Sequence, residues 1–228
     1  MKYFPFPDKT ASREELTKDV LYQKIPQSDR ERIVDLAWDT GVAAAIDILK
    51  RYGMDKSVEA IAKECGLTVE RIDKDNIAGN VRYFSEYYSG RKKIVLYNDS
   101  IGKWAESNRC NVVDAEELIL SHEFFHFLEC TSIGLTSKQY QVTVIKIGKW
   151  ILCRSGIRAL SEIGAHGFSR TYYEIKGRLP KTELPENQGI LLQNQAVNSA
   201  GFAGKLAVDK IFGNGLLGKM SGYKNTRR

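Results

Sequence analysis

Two histidines and a glutamate in the string His122-Glu123-Phe124-Phe125-His126 have the residue types and the spacing of a metal-dependent hydrolytic site. Imidazoles at positions i and i+4 of a helix project from one face, so both can converge on a single ion. Glu123 follows the first of them and can reach a metal-activated water as a general base without itself being a ligand. The chain has only three histidines, and the third, His166, stands four residues after Glu162. A catalytic zinc site takes three protein ligands and keeps one position for water, so a third donor must come from another part of the chain. Glu162 and His166, at i and i+4 of one predicted helix, are the candidates, and either brings a second helix against the first. Glu129 lies on the same face as His122, but three ligands within two turns of one straight helix are poorly disposed around a tetrahedron. It therefore reads as a carboxylate behind the ligands or on the surface. Beyond Glu162, the residues Arg170, Tyr172 and Tyr173 are candidate donors to the oxyanion of an acyl-transfer reaction, with a solvated arginine and surface aromatics as the plainer reading.

The elements that must carry these residues are legible in outline. Asp114 and Glu117 form a capping pair that opens a helix over AEELILSHEFFHFLEC to about Thr131. Ser155 caps a second helix, IRALSEIGAHGFSRTYYEIK, which Gly177 closes. Between them, the Val and Ile content of Gln139 to Cys153 favours two strands turning at Gly148. Upstream, Ser12 with Glu15 and Ser28 with Glu31 carry the capping-box signature, and Ile33, Leu36, Ala37, Ala44 and Ile48 recur at helical spacing as far as Gly53. A shorter helix runs from Asp55 to Cys65 and stops at Gly66. SVEAIAKECGLTVERI has the look of a helix-turn-helix opening, but no basic recognition helix follows, so it reads as a packing helix. Val81 to Tyr87 and Lys92 to Tyr97 are short strands in a hairpin or side by side, ended by Asn98-Asp99-Ser100. The run Lys93 to Tyr97 offers either an open edge to an extended peptide or an ordinary inner strand. The pattern divides the chain into N-terminal helices (1–66), a core carrying the motif (67–178), and an extension (179–228) that is loop-like after Pro180 with a helix over Lys205 to Phe212. The fold class is α+β.

With these residues in place the chain resembles a known family. SHEFFHFLE, followed 36 residues beyond His126 by the glutamate of SEIGAHGFSR, is similar to the small zincin metallopeptidases of the ImmA/IrrE type. SVEAIAKECGLTV, the strand KKIVLYND and then the motif helix stand in the same order, so the resemblance spans about residues 30–175. A longer insert between the two helices, and His166 within the AHGF segment, set this chain apart. The resemblance implies a zincin-like fold, with a small mixed β-sheet packed on an active-site helix pair and helices before it. It implies Zn2+ held by His122, His126 and Glu162, with Glu123 as catalytic base and His166 outside or alternative to the ligand set. The implied reaction is hydrolysis of a peptide bond in a protein or peptide substrate, regulatory proteins among them. A competing reading is a non-catalytic zinc-binding regulatory or interaction protein, closed by His122, His126, Glu162 and His166 together. The intact Glu123 counts against it.

Composition narrows the field. The 228 residues are 43% hydrophobic and 27% charged, which suits a folded globular protein. The net charge of +6 is spread along the chain with no aromatic-basic module, so a nucleic-acid partner is not expected. The only local concentration is Lys219, Lys224, Arg227 and Arg228. The most apolar run, Val142 to Ile151, is interrupted by Lys146 and Lys149 and is about half the length a bilayer requires, so no membrane partner is expected either. MKYFPFPDKTASREEL lacks the apolar core of a secretory signal, and the four cysteines include no CxxC pair. These features predict a cytoplasmic protein with reduced, mostly buried thiols.

Overall fold

The structure, a computed structural model, describes residues 5–176. In chain order the elements are α1 (Ser12–Thr17), α2 (Gln27–Tyr52), α3 (Val58–Glu64), β1 (Thr68–Ile72), β2 (Asn76–Ala78), β3 (Val81–Tyr83), β4 (Ser85–Tyr88), β5 (Lys93–Tyr97), α4 (Asn98–Ser107), α5 (Val112–Leu128), β6 (Gln141–Ile147), β7 (Trp150–Gly156) and α6 (Ala159–Ile175). The mixture is α+β. The predicted helix over Lys205 to Phe212, the stop at Gly177 and the basic C-terminal residues lie outside the described residues.

Helix α5 carries the motif and is apolar around its whole circumference. Leu118, Ile119, Leu120, Phe124, Phe125, Phe127 and Leu128 are all buried, which is the signature of a helix enclosed on every side. It packs against α6, α3, α4 and strands β4 and β5. Strands β1, β5 and β4 form a mixed sheet in that order, β1 parallel and β4 antiparallel to β5. The stretch Lys93 to Tyr97 is thus the inner strand, not an open edge; β4 lies at the edge. The predicted strand Val81 to Tyr87 is split, because β3 pairs with β2 in a separate hairpin. Gln139 to Cys153 forms the expected hairpin, with Gly148 at a φ of 55° in its turn. After α3 the chain enters a strand, β1, which excludes a helix-turn-helix.

Several helix starts differ from expectation. Asn111, not Asp114, caps α5, its side chain accepting from the Asp114 amide at 2.7 Å. Asn and Asp cap equally well, so composition alone does not rank them. Ser28 lies inside the first turn of α2, where Pro26 at a φ of −52° already fixes the start. Ser12 likewise falls within α1, behind an Asp8 side chain that accepts from the Ala11 amide at 2.8 Å. Ser155 belongs to β7, and the α6 start is instead held by Asp19, which accepts from the Ala159 amide at 3.0 Å. Asn98 to Ser100, expected only to end a strand, also begins α4. The thiols are not mostly buried: Cys65 and Cys110 are half-buried, while Cys130 and Cys153 are exposed because they stand after the end of α5 and on the hairpin. No helix among the described residues is long and apolar enough to cross a membrane.

Helices α2 and α6 pack in backbone contact through glycine. A Cβ at Gly41 would stand 2.0 Å from the Gly164 carbonyl oxygen and 2.7 Å from the Phe168 amide nitrogen. One at Gly164 would meet Phe125 at 2.7 Å, and one at Gly167 would meet the Trp38 carbonyl oxygen at 2.7 Å. The glycines therefore set how deeply α6, with Glu162 and His166 on it, sits between α2 and α5. Because both neighbours of Gly41 are backbone, Gly41→Ala is expected to destabilise the protein by about 3 kcal/mol, at the upper end of overpacking costs. Gly102→Ala, in α4 with nothing within 4 Å of the added carbon, should be neutral or stabilising by up to about 1 kcal/mol. Urea unfolding of the two variants checks the pair; equal midpoints would show that the helices do not need the close approach.

Candidate metal centre

His122 and His126, one helical turn apart on α5, turn their Nε2 atoms toward each other at 3.2 Å. The Glu162 carboxylate arrives from α6, with Oε2 at 3.1 Å from His122 Nε2 and Oε1 at 3.7 Å from His126 Nε2. Donors about 2.0–2.1 Å from a tetrahedral ion stand about 3.3 Å from one another, so these separations suit one small divalent cation. Exposure of the three residues is 3%, 5% and 5%. Among the described residues, this is the only group of three or more histidines, cysteines or carboxylates whose ligand atoms lie close enough, within 4.8 Å, to hold a metal.

The surroundings fix the orientation and the charge of His126. Glu129 Oε2 lies 2.9 Å from His126 Nδ1, so the ring donates its Nδ1 proton there and turns Nε2 toward the group. Glu129 is itself fixed by the Thr136 amide at 2.8 Å and by the Ser161 hydroxyl. Burial works to raise its pKa, but the His126, Ser161 and Thr136 bonds outweigh burial and hold it below the ordinary carboxylate range. Burial likewise disfavours charge on His126, yet Glu129, Glu162 and Glu123 together lift its pKa to about 9, so a cation that takes Nε2 must displace a proton from it. Of the two readings open for Glu129, the structure places it in the interior, behind His126, rather than on the surface.

Glu123 is 1% exposed and held by a residue the sequence did not mark. Its Oε1 accepts from the Ser85 hydroxyl at 2.8 Å, and Ser85 opens the edge strand β4. Its Oε2 has no hydrogen-bond partner. An unpaired, buried carboxylate oxygen is costly in a folded chain, and it tends to persist where chemistry uses it.

The structure does not gather every residue the sequence nominated. His166 is fully buried beside His122, with ring centroids 5.3 Å apart, but it is not in the ligand group and neither ring nitrogen has a hydrogen-bond partner. Burial, then repulsion by His122, keeps its pKa well below the usual histidine value. Arg170, Tyr172 and Tyr173 are not brought to the centre. At 1.5 Å of rise per residue, positions eight to eleven residues beyond Glu162 lie about 12–16 Å further along α6. Arg170 pairs with Glu174 at 3.0 Å, the Tyr172 hydroxyl donates to the Lys56 carbonyl at 3.2 Å, and Tyr173 packs on Tyr172.

The N-terminal segment covers the group. Phe6, fully buried, rests on the rings of His122 and His166 with centroids 5.7 Å from each. Glu15 on α1 is 6% exposed. Burial raises its pKa and Glu162 adds to the rise, against the attraction of Lys18, whose Nζ is 3.0 Å away. No sequence signal marks Phe6 or Ser85, since a phenylalanine near a terminus and a serine in a strand are both commonplace. Compared with known proteins, the chain matches no family model, no curated protein and no solved structure.

Proposed function

We propose that this protein is a zinc-dependent metallopeptidase with a zincin-like fold of the ImmA/IrrE type, in which His122, His126 and Glu162 hold the ion and Glu123 is the general base. The observation that carries the reading is the convergence of two Nε2 atoms and a carboxylate from a second helix, with a further, half-bonded glutamate one residue after the first histidine. When bound, zinc supplies a Lewis acid that polarises a carbonyl and brings the pKa of water down to about 7.

The chain's own residues supply the rest. Ser85 anchors Glu123 through Oε1, so Oε2 is the oxygen that takes a proton from the attacking water and returns it to the leaving amine. Glu129 keeps His126 in the tautomer whose Nε2 can ligate. The edge strand β4 pairs with β5 on one side only, so an extended peptide adding to its other side would lie along the strand that carries Ser85. The burial of the whole group favours one second reading, a non-catalytic zinc-binding regulatory protein of the same fold.

Elemental analysis of the purified protein, beside His126→Ala and paired with a mass-spectrometric screen for cleavage of a mixed peptide library, tests both. The expected result is near one zinc per chain, lost in the variant, with cleavage by the parent alone. Zinc without cleavage would favour the non-catalytic reading. No metal in either protein after zinc is offered would remove both.

A further inference from the structure

The β6–β7 hairpin is the part of the molecule whose chemistry the proposed reaction leaves unused. Its outer half exposes five large apolar side chains: Ile145 (50%), Ile147 (64%), Trp150 (76%), Ile151 (47%) and Leu152 (60%). Ile147 pairs across the strands with Trp150, and Lys146 with Ile151, so apolar groups stand on both faces of the ribbon next to the turn. A patch of this kind marks a surface that is covered in use. Charge indicates by what. Between Glu129 and Glu162 the sequence has no acidic residue, and it carries Lys138, Lys146, Lys149, Arg154 and Arg158. Lys146 and Lys149 flank the turn, beside the tryptophan.

We propose that this hairpin docks on an anionic membrane surface, with Ile147 and Trp150 seated at the headgroup boundary and Lys146 and Lys149 meeting the lipid charges. Tryptophan with flanking lysine is the side-chain pairing that the bilayer interface favours, one amphipathic ring and one snorkelling cation. A second copy of this chain is a poorer occupant, because two such hairpins bring like charges together. Nucleic acid offers the charge but nothing for Ile145, Ile147, Ile151 and Leu152 to bury against. The inference is independent of the peptidase reading. It also departs from the expectation of no membrane partner, which rests on the length needed to span a bilayer; a ribbon lying on the surface needs no span.

Trp150 is its own probe, since Trp38 and Trp104 are 8% and 3% exposed. The full-length protein is mixed with vesicles of phosphatidylcholine alone, or of phosphatidylcholine with phosphatidylserine. Binding is followed by co-sedimentation and tryptophan emission. The expected result is co-sedimentation with the phosphatidylserine vesicles, a blue-shifted emission, and weakening by salt. Lys146→Gln with Lys149→Gln should bind about thirtyfold more weakly, taking roughly 1 kcal/mol per cation. Ile147→Ser with Trp150→Ser should weaken co-sedimentation at least as much. Both pairs change exposed side chains, so circular dichroism should match the parent. Absence of binding to the anionic vesicles, binding with unshifted emission, or undiminished binding by the serine pair would overturn the proposal. A shift with concentration in the absence of vesicles would assign the hairpin to a second copy, and one with duplex DNA instead would assign it to nucleic acid.

Discussion

Glu123→Gln is expected to bind zinc as the parent does and to cleave peptides roughly 100- to 10,000-fold more slowly, the range set by losing a general base. The two halves of the result have separate causes. The amide keeps the shape of the carboxylate, and its Oε1 can still accept from Ser85, which in the parent donates at 2.8 Å. Glu123 is not in the ligand group, so the ion should not notice the change. The second oxygen, unpaired in the fold, becomes an NH2 that cannot take a proton. Metal content, circular dichroism and initial rates on whichever library peptide the parent cleaves are the three readings needed. Undiminished rates would remove Glu123 from the mechanism, and loss of zinc would mean the variant disturbs the ligands instead.

Glu162→Ala should lower zinc affinity by well over the 10- to 100-fold that losing an outer carboxylate costs, while His166→Ala should change it only a few-fold. Glu162 reaches both histidine Nε2 atoms, at 3.1 and 3.7 Å, whereas His166 touches His122 only ring to ring. The histidine variant has a different cost. Its ring is fully buried under Phe6, so truncation leaves a cavity and should lower stability by about 2–4 kcal/mol. Competition with a zinc chelator ranks the two for metal, and thermal unfolding ranks them for stability. The reverse order of zinc affinities would make His166 the third ligand and Glu162 its neighbour.

What the sequence showed follows the range of the interactions involved. The motif helix is readable because its chemistry repeats within one turn, and the helix of Glu162 because apolar and small residues alternate along it at helical period. The β6–β7 hairpin is readable from a local turn at Gly148. Parallel pairing of β1 with β5 is not, since Thr68 finds Lys93 only across three intervening strands, two of them paired in a hairpin of their own. Within the site, Glu129 could be placed on the face of His122 by counting, but whether it was outward or inward depended on Ser161 and Thr136, which arrive from later elements. Ser85 and Phe6 act on residues 38 and more than a hundred positions away, with no local pattern to betray them. Spacing left Glu162 and His166 open, and only in three dimensions does the Glu162 carboxylate stand within 4.8 Å of both histidines of α5.

The cover over the centre also sets an order of events. Asp19 holds the start of α6 across 140 residues, and Phe6 rests on a histidine of the same helix. Phe6 and Asp19 therefore find their seat only after α6, far later in the chain, has been made. Until then the imidazoles of α5 face water, because a loop of that length must be closed before its contacts add anything. The burial of the centre thus depends on residues 5–19 and α6 holding each other, through Phe6 on His166 and Asp19 on the Ala159 amide.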